Sequence, residues 1–129
     1  MAVAKWTSDT ILDQACNYVK NTVTEMYVCS GASNPADRAA AIAAALATKT
    51  GLTAASFTGS ADGDTSGRKI TKNAETGISV AVSGTATCIA LCSGTVMLDV
   101  MTMTSQVLTA GNTVNTPAFR VVEIADVTP

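Results

Sequence analysis

In the segment Asp62-Gly63-Asp64-Thr65-Ser66-Gly67, two carboxylates and two hydroxyls lie within six residues. Alternating carboxylates and hydroxyls followed by glycine are how a calcium loop collects its ligands. An EF-hand loop opening at Asp62 needs a bidentate Glu at its last position, which here is Asn73, and a strand pattern rather than a helix pattern follows. The segment therefore reads as a turn-rich connection in which Asp and Gly satisfy local backbone geometry.

Cys16, Cys29, Cys88 and Cys92 invite a metal or disulfide reading. Zinc sites take Cys and His in close pairs such as C-x2-C, and this chain has neither such a pair nor any His. On a strand, Cys88 and Cys92 share one face but stand too far apart along it for an easy bridge. All four read as small buried hydrophobes, reduced as in a cytoplasm. Without His the commonest general base and metal ligand is missing, no G-x-S-x-G elbow surrounds any Ser, and no phosphate-binding glycine loop occurs. The expectation is a protein that is not an enzyme, with no catalytic residues, no metal and no cofactor.

Arg68, Lys69 and Lys72 form the only basic cluster in a chain of formal charge −2. Nucleic-acid binding needs a basic stripe or face, so no nucleic acid is expected, and Arg68-Lys69 reads either as a solvated strand start or as a patch for an acidic partner. Trp6 and the apolar residues Met1 to Ala4 read as an arm folded onto its own core or, alternatively, as an intersubunit contact. Met26, Met97, Met101 and Met103 read as core fillers first and as pliable interface residues second.

Apolar residues make up 47% of the sequence and charged ones only 14%, well under the usual quarter. The richest apolar stretch, Ala39 to Ala47, is too short to span a bilayer, so no membrane partner is expected. Lys5 and Trp6 lead straight into polar Thr7, Ser8 and Asp9, which is no secretory leader. A soluble protein made in a cytoplasm, with much of its charge-poor surface covered by neighbouring subunits, is the consequence.

The elements that must carry these residues are legible in part. Ser8 or Thr7 caps a helix whose apolar positions are Ile11, Leu12, Ala15, Cys16 and Val19, with Asp9 and Lys20 suiting its dipole. Glu25 to Ser30 reads as a buried strand. Asn34 as N-cap and Pro35 at the first helical position predict a second, weaker Ala-rich helix to about Thr48, with Gly51 as terminator.

From Leu52 the pattern turns to short Thr, Val, Ile and Ser segments. Strands are predicted at Ala54 to Thr58, Arg68 to Asn73, Ile78 to Val82, Thr85 to Cys92, Thr95 to Met103, Thr113 to Asn115 and Phe119 to Ala125. Ser83-Gly84, Ser93-Gly94 and Ala110-Gly111-Asn112 supply turns. Period two puts Ile78, Val80 and Val82 on one face, and sets Val96, Leu98 and Val100 against Met97, Asp99 and Met101. The predicted fold over residues 1–129 is one α+β domain, mainly β: an antiparallel β-sandwich or barrel-like sheet with an N-terminal helix and the second Ala-rich one.

Several phrases of the chain carry a resemblance. Gly67-Arg68-Lys69, Ser83-Gly84-Thr85-Ala86-Thr87 before Ile89-Ala90-Leu91, Thr104 to Val114, Pro117-Ala118-Phe119 and Glu123-Ile124-Ala125-Asp126 resemble small virion proteins of tailed bacteriophages. Lys5-Trp6 with its helix, and the strand ending Val28-Cys29-Ser30, are similar to the same group. The resemblance implies a capsid cement or decoration protein on the capsid surface of the virion. Its expected partners are the major capsid protein and copies of itself as a trimer or dimer. A tail or tail-fibre module is the alternative. The resemblance transfers no catalytic residue.

Overall fold

The computed structural model describes residues 8–64 and 67–124, the Val122 side chain excepted. The arm with Trp6, Thr65 and Ser66 of the acidic segment, and the stretch from Ala125 lie outside the described residues.

The first helix, α1 (Asp9–Thr22), begins where the Ser8 hydroxyl accepts from the Thr10 N–H at 3.2 Å. Leu12 and Cys16 are buried and Val19 packs at the edge of the core, whereas Ile11 and Tyr18 are 64% and 61% exposed. The inward stripe is thus narrower than the apolar spacing predicts, and Ala15 is exposed beside Ile11 and Tyr18. The Lys20 ammonium ties α1 to the sheet by donating to the Gly59 carbonyl at 3.0 Å.

Strand β1 (Glu25–Ser30) follows, then α2 (Arg38–Ala44) and β2 (Ala45–Lys49). The Ala-rich segment corrects the expectation of one helix running from Asn34. Asp37, not Asn34, is the N-cap, its carboxylate accepting from the Ala40 N–H at 2.8 Å, and the helix stops at Ala44. Beyond it, Val28 pairs with Ala47 and Leu46 is buried, so a ladder to β1 overrides the helix propensity of alanine.

The remaining strands are β3 (Phe57–Asp62), β4 (Arg68–Lys72), β5 (Glu75–Ser79), β6 (Gly84–Cys92), β7 (Met97–Leu108), β8 (Thr113–Thr116) and β9 (Phe119–Ile124). Ala54–Ser56 is a 3-10 turn rather than the start of a strand. The chain is α+β, mainly β, and every pairing is antiparallel: β2-β1-β6-β7, β3-β4-β9 and β5-β8. A bridge from Ala47 to Val80 joins the β5-β8 pair to the β2 edge.

Two expectations fail on long-range pairing. Ser83-Gly84 does not turn a hairpin, because β5 pairs with β8 while β6 pairs with β1 and β7. Ile78 and Val80 are buried, but Val82 is 53% exposed, since the strand ends before it. In β7 the register shifts opposite Leu91 and Cys92. Leu98 and Met101 consequently pack on one core and Met97 and Val100 on the other, which simple alternation does not give.

The larger core lies between the sheets and takes Met26, Val28, Phe57, Ile70, Ile89, Leu91, Val114 and Phe119. The other face of the β1-β6 pair is covered near α2 by a second cluster with Tyr27, Cys29, Ala41, Cys88, Ala90 and Cys92. Burial on both faces explains why β1 and the end of β6 are buried at consecutive positions rather than alternate ones. At Gly59 a bulge brings the strands together: φ is +113°, and a Cβ there would meet the Lys69 carbonyl oxygen at 3.0 Å.

Candidate functional site: the open edge between β7 and β8

The acidic segment spends its carboxylates on cations of the same chain. Arg68 opens β4 beside Asp62, donating from Nη1 to Asp62 at 2.8 Å and from Nε to Asp13 of α1 at 2.7 Å. The hydrogen bond that Arg68 donates to Asp13, with Asp62 and Asp9 adding to it, raises the guanidinium pKa above its ordinary value. Lys69 and Arg120 both pair with Asp64, and together they lower its carboxyl pKa, Lys69 contributing most. Among the described residues no group of three or more Cys, Asp or Glu side chains stands close enough together to hold a metal ion. What this segment does is fasten the β3–β4 hairpin to α1.

Lys72 departs from the basic cluster of the sequence. It is buried, 0% exposed, and its ammonium donates to Glu75 Oε1 at 2.9 Å and to the Asn73 carbonyl at 2.8 Å. Arg68 and Lys69 are ion-paired and partly buried, so the three do not form a basic face.

The four thiols are all buried and free. Cys29 and Cys88 oppose each other across β1 and β6, and Cys92 lies in the same cluster. Burial, with the neighbouring thiols adding to it, pushes the Cys29 thiol up to about 12. A thiol so far from ionising is a poor nucleophile and a poor metal ligand. Beside this cluster, Arg38 of α2 grips Glu25 of β1 at 3.0 Å through both carboxylate oxygens, and the Tyr27 hydroxyl donates to Glu25 at 2.5 Å.

The exposed feature of the fold is β7. It is the edge of its sheet, and among the described residues its outer backbone rim pairs with no strand. Natural edges are blunted by Lys, Pro or short length. This one runs from Met97 to Leu108 with Asp99 as its only charged residue, and Val107 on it is 77% exposed. Asp99 lies opposite Leu91 of the core, and burial raises its carboxyl pKa against a lowering hydrogen bond from the Val100 backbone.

Strand order runs β8-β5, through the Ala47–Val80 bridge, to β2-β1-β6-β7, and among the described residues the two ends do not join. Between them lies a cavity of about 280 Å³, with Met101 and Met103 of β7 on one side, Val114 and Thr116 of β8 on the other, and Val28 and Ile89 beneath. Thr116 is 5% exposed, yet among the described residues its Oγ1 has no hydrogen-bond partner. Sequence reasoning singled out the methionines but not Thr116; period two from Val114 was the signal that set it facing inward.

No protein-family model, no curated protein and no solved structure matches this chain.

Proposed function

We propose that the protein is a non-catalytic structural component that adds itself to other protein surfaces, and that its setting is the head of a tailed bacteriophage. There it acts as a cement protein, seated over junctions between major capsid protein subunits and associated with copies of itself as a dimer or trimer. The observation that supports this reading is the long, nearly uncharged, unpaired edge of β7, a template for strand addition that a free monomer has reason to avoid. The exposed apolar stripe of Ile11, Ala15 and Tyr18 on α1 offers a second surface of the same kind.

The mechanism is mass action. A protein that binds only the assembled shell stabilises it by RT ln(1 + [L]/Kd), so many weak copies raise the free energy of separating capsid subunits. Symmetric self-association matches the symmetry of the junctions covered.

The test is localisation on intact particles of the phage that encodes the protein, with the protein labelled and virions imaged by electron microscopy. Label spread evenly over the head supports the cement role. Label confined to the tail transfers the reading to a tail or fibre module, and unlabelled particles end the virion proposal.

A further inference from the structure

We propose that the cavity between β7 and β8 is a binding site for a single aromatic ring carrying one hydroxyl, the ring lying against Met101 and Met103 and the hydroxyl meeting Thr116 Oγ1. This site does not depend on the virion reading.

Size comes first. A cavity of about 280 Å³ is below the range that drug-sized ligands occupy. It exceeds the roughly 150 Å³ that accommodates benzene in an engineered apolar cavity. One substituted ring fits within that volume.

Chemistry narrows the guest further. The interior wall is apolar through Val28, Ile89, Met101 and Val114, whereas Gln106 and Asn115 at the rim are exposed. Thioethers prefer aromatic partners to aliphatic ones, and two of them stand here on one strand. Among the described residues, Thr116 Oγ1 is the one buried side-chain oxygen of this wall without a bond. A buried hydroxyl with no partner is destabilising, and a ligand hydroxyl placed here would complete it. Val114 and Thr116 share the buried face of β8, so the ring and the hydroxyl of one guest are met from the same strand.

The shared chemistry has two sources, a free phenol or a tyrosine side chain of a protein laid along the open edge. Intact protein is titrated with p-cresol, toluene and N-acetyl-tyrosinamide while the methyl resonances of Met101, Met103 and Val114 are followed. Saturable shifts of these methyls with p-cresol are expected. Thr116→Val keeps the shape of the side chain, and it should weaken p-cresol binding by about 5- to 10-fold while leaving toluene unchanged or tighter, with Thr116→Ser restoring p-cresol. Binding of N-acetyl-tyrosinamide with affinity similar to p-cresol identifies a protein-borne tyrosine; binding of p-cresol alone identifies a free phenol. Absence of saturable shifts in the folded protein, or equal weakening of p-cresol and toluene by Thr116→Val, overturns the site.

Discussion

The ammonium of Lys72, on the core-facing side of β4, donates to Glu75 Oε1 at 2.9 Å across the turn into β5. Lys72 pairs in register with Phe57 on one side and Phe119 on the other, so a cation sits in a row of core side chains. Breaking a buried pair by removing one partner leaves an uncompensated charge, at about 3–5 kcal/mol. Glu75→Ala should therefore destabilise the fold by an amount in that range, and Lys72→Met combined with Glu75→Gln by much less. Urea unfolding of the three proteins checks the pair; equal losses in the single and double variants would mean the charge itself carries no penalty.

Asp99 makes stability depend on pH in the direction opposite to most carboxylates. Its folded pKa is raised by burial, so between the unfolded value and the folded one the native state holds the extra proton. Stability is greatest below the ordinary Asp pKa of about 3.9 as far as this group is concerned, and falls as pH rises through the folded value. Asp99→Asn should raise Tm at pH 7 and leave it nearly unchanged at pH 3. A pH-independent difference between the two proteins would remove Asp99 as the source.

Tyr27 should titrate late. Burial first, and then Glu25 through its hydrogen bond and its charge, push the phenol up to about 12. Alkaline difference absorbance near the tyrosinate band is expected to show that late step, and Glu25→Gln to bring it down. Because the folded pKa is the raised one, the stability it supplies is full below the unfolded value of about 10 and is lost as pH climbs through about 12.

The unpartnered hydroxyl of Thr116 carries a stability prediction separate from ligand binding. Thr116→Val in the unliganded protein should stabilise by about 1 kcal/mol, since a buried donor without a partner is removed. Denaturant midpoints decide it. A loss of stability would show that the hydroxyl is bonded within the fold.

If the β7 edge is where copies or partners add, a lysine at its most exposed valine should block them. Val107→Lys is expected to leave Tm within a degree or two while abolishing self-association in sedimentation velocity, because an edge lysine opposes strand addition. Unchanged association would place the contact elsewhere, with the α1 stripe the next candidate.

Local features were legible in the sequence and non-local ones were not. Ser8, Asp9, Leu12 and Cys16 announce α1 because capping and helical spacing are settled within a few residues. The end of α2 escaped the same reading, since what stops the helix at Ala44 is β1 pairing with Ala47 from outside the segment. Likewise the two faces of β7 depend on a bulge that only the partner strand reveals. Lys72 read as part of a basic cluster with Arg68 and Lys69, and what buries it is the pairing of β4 with Phe57 of β3 and Phe119 of β9. Thr116 fell just beyond the strand predicted to end at Asn115, and only the cavity beside β7 makes its hydroxyl conspicuous.

Cys29 pairs with Cys88, so β1, from the first quarter of the sequence, finds its central neighbour beyond the midpoint, and β4 finds β9 later still. The four-stranded sheet cannot be completed until β7 has left the ribosome, and the β3-β4-β9 sheet not until β9 has. The β3-β4 and β6-β7 ladders are local, but the β1-β6 and β4-β9 ladders reward the chain only after long loops close, which makes folding slower than for a helical protein of this size. During that interval the apolar run of β1 waits in the open, and a holding chaperone has more to offer here than a faster rate of synthesis.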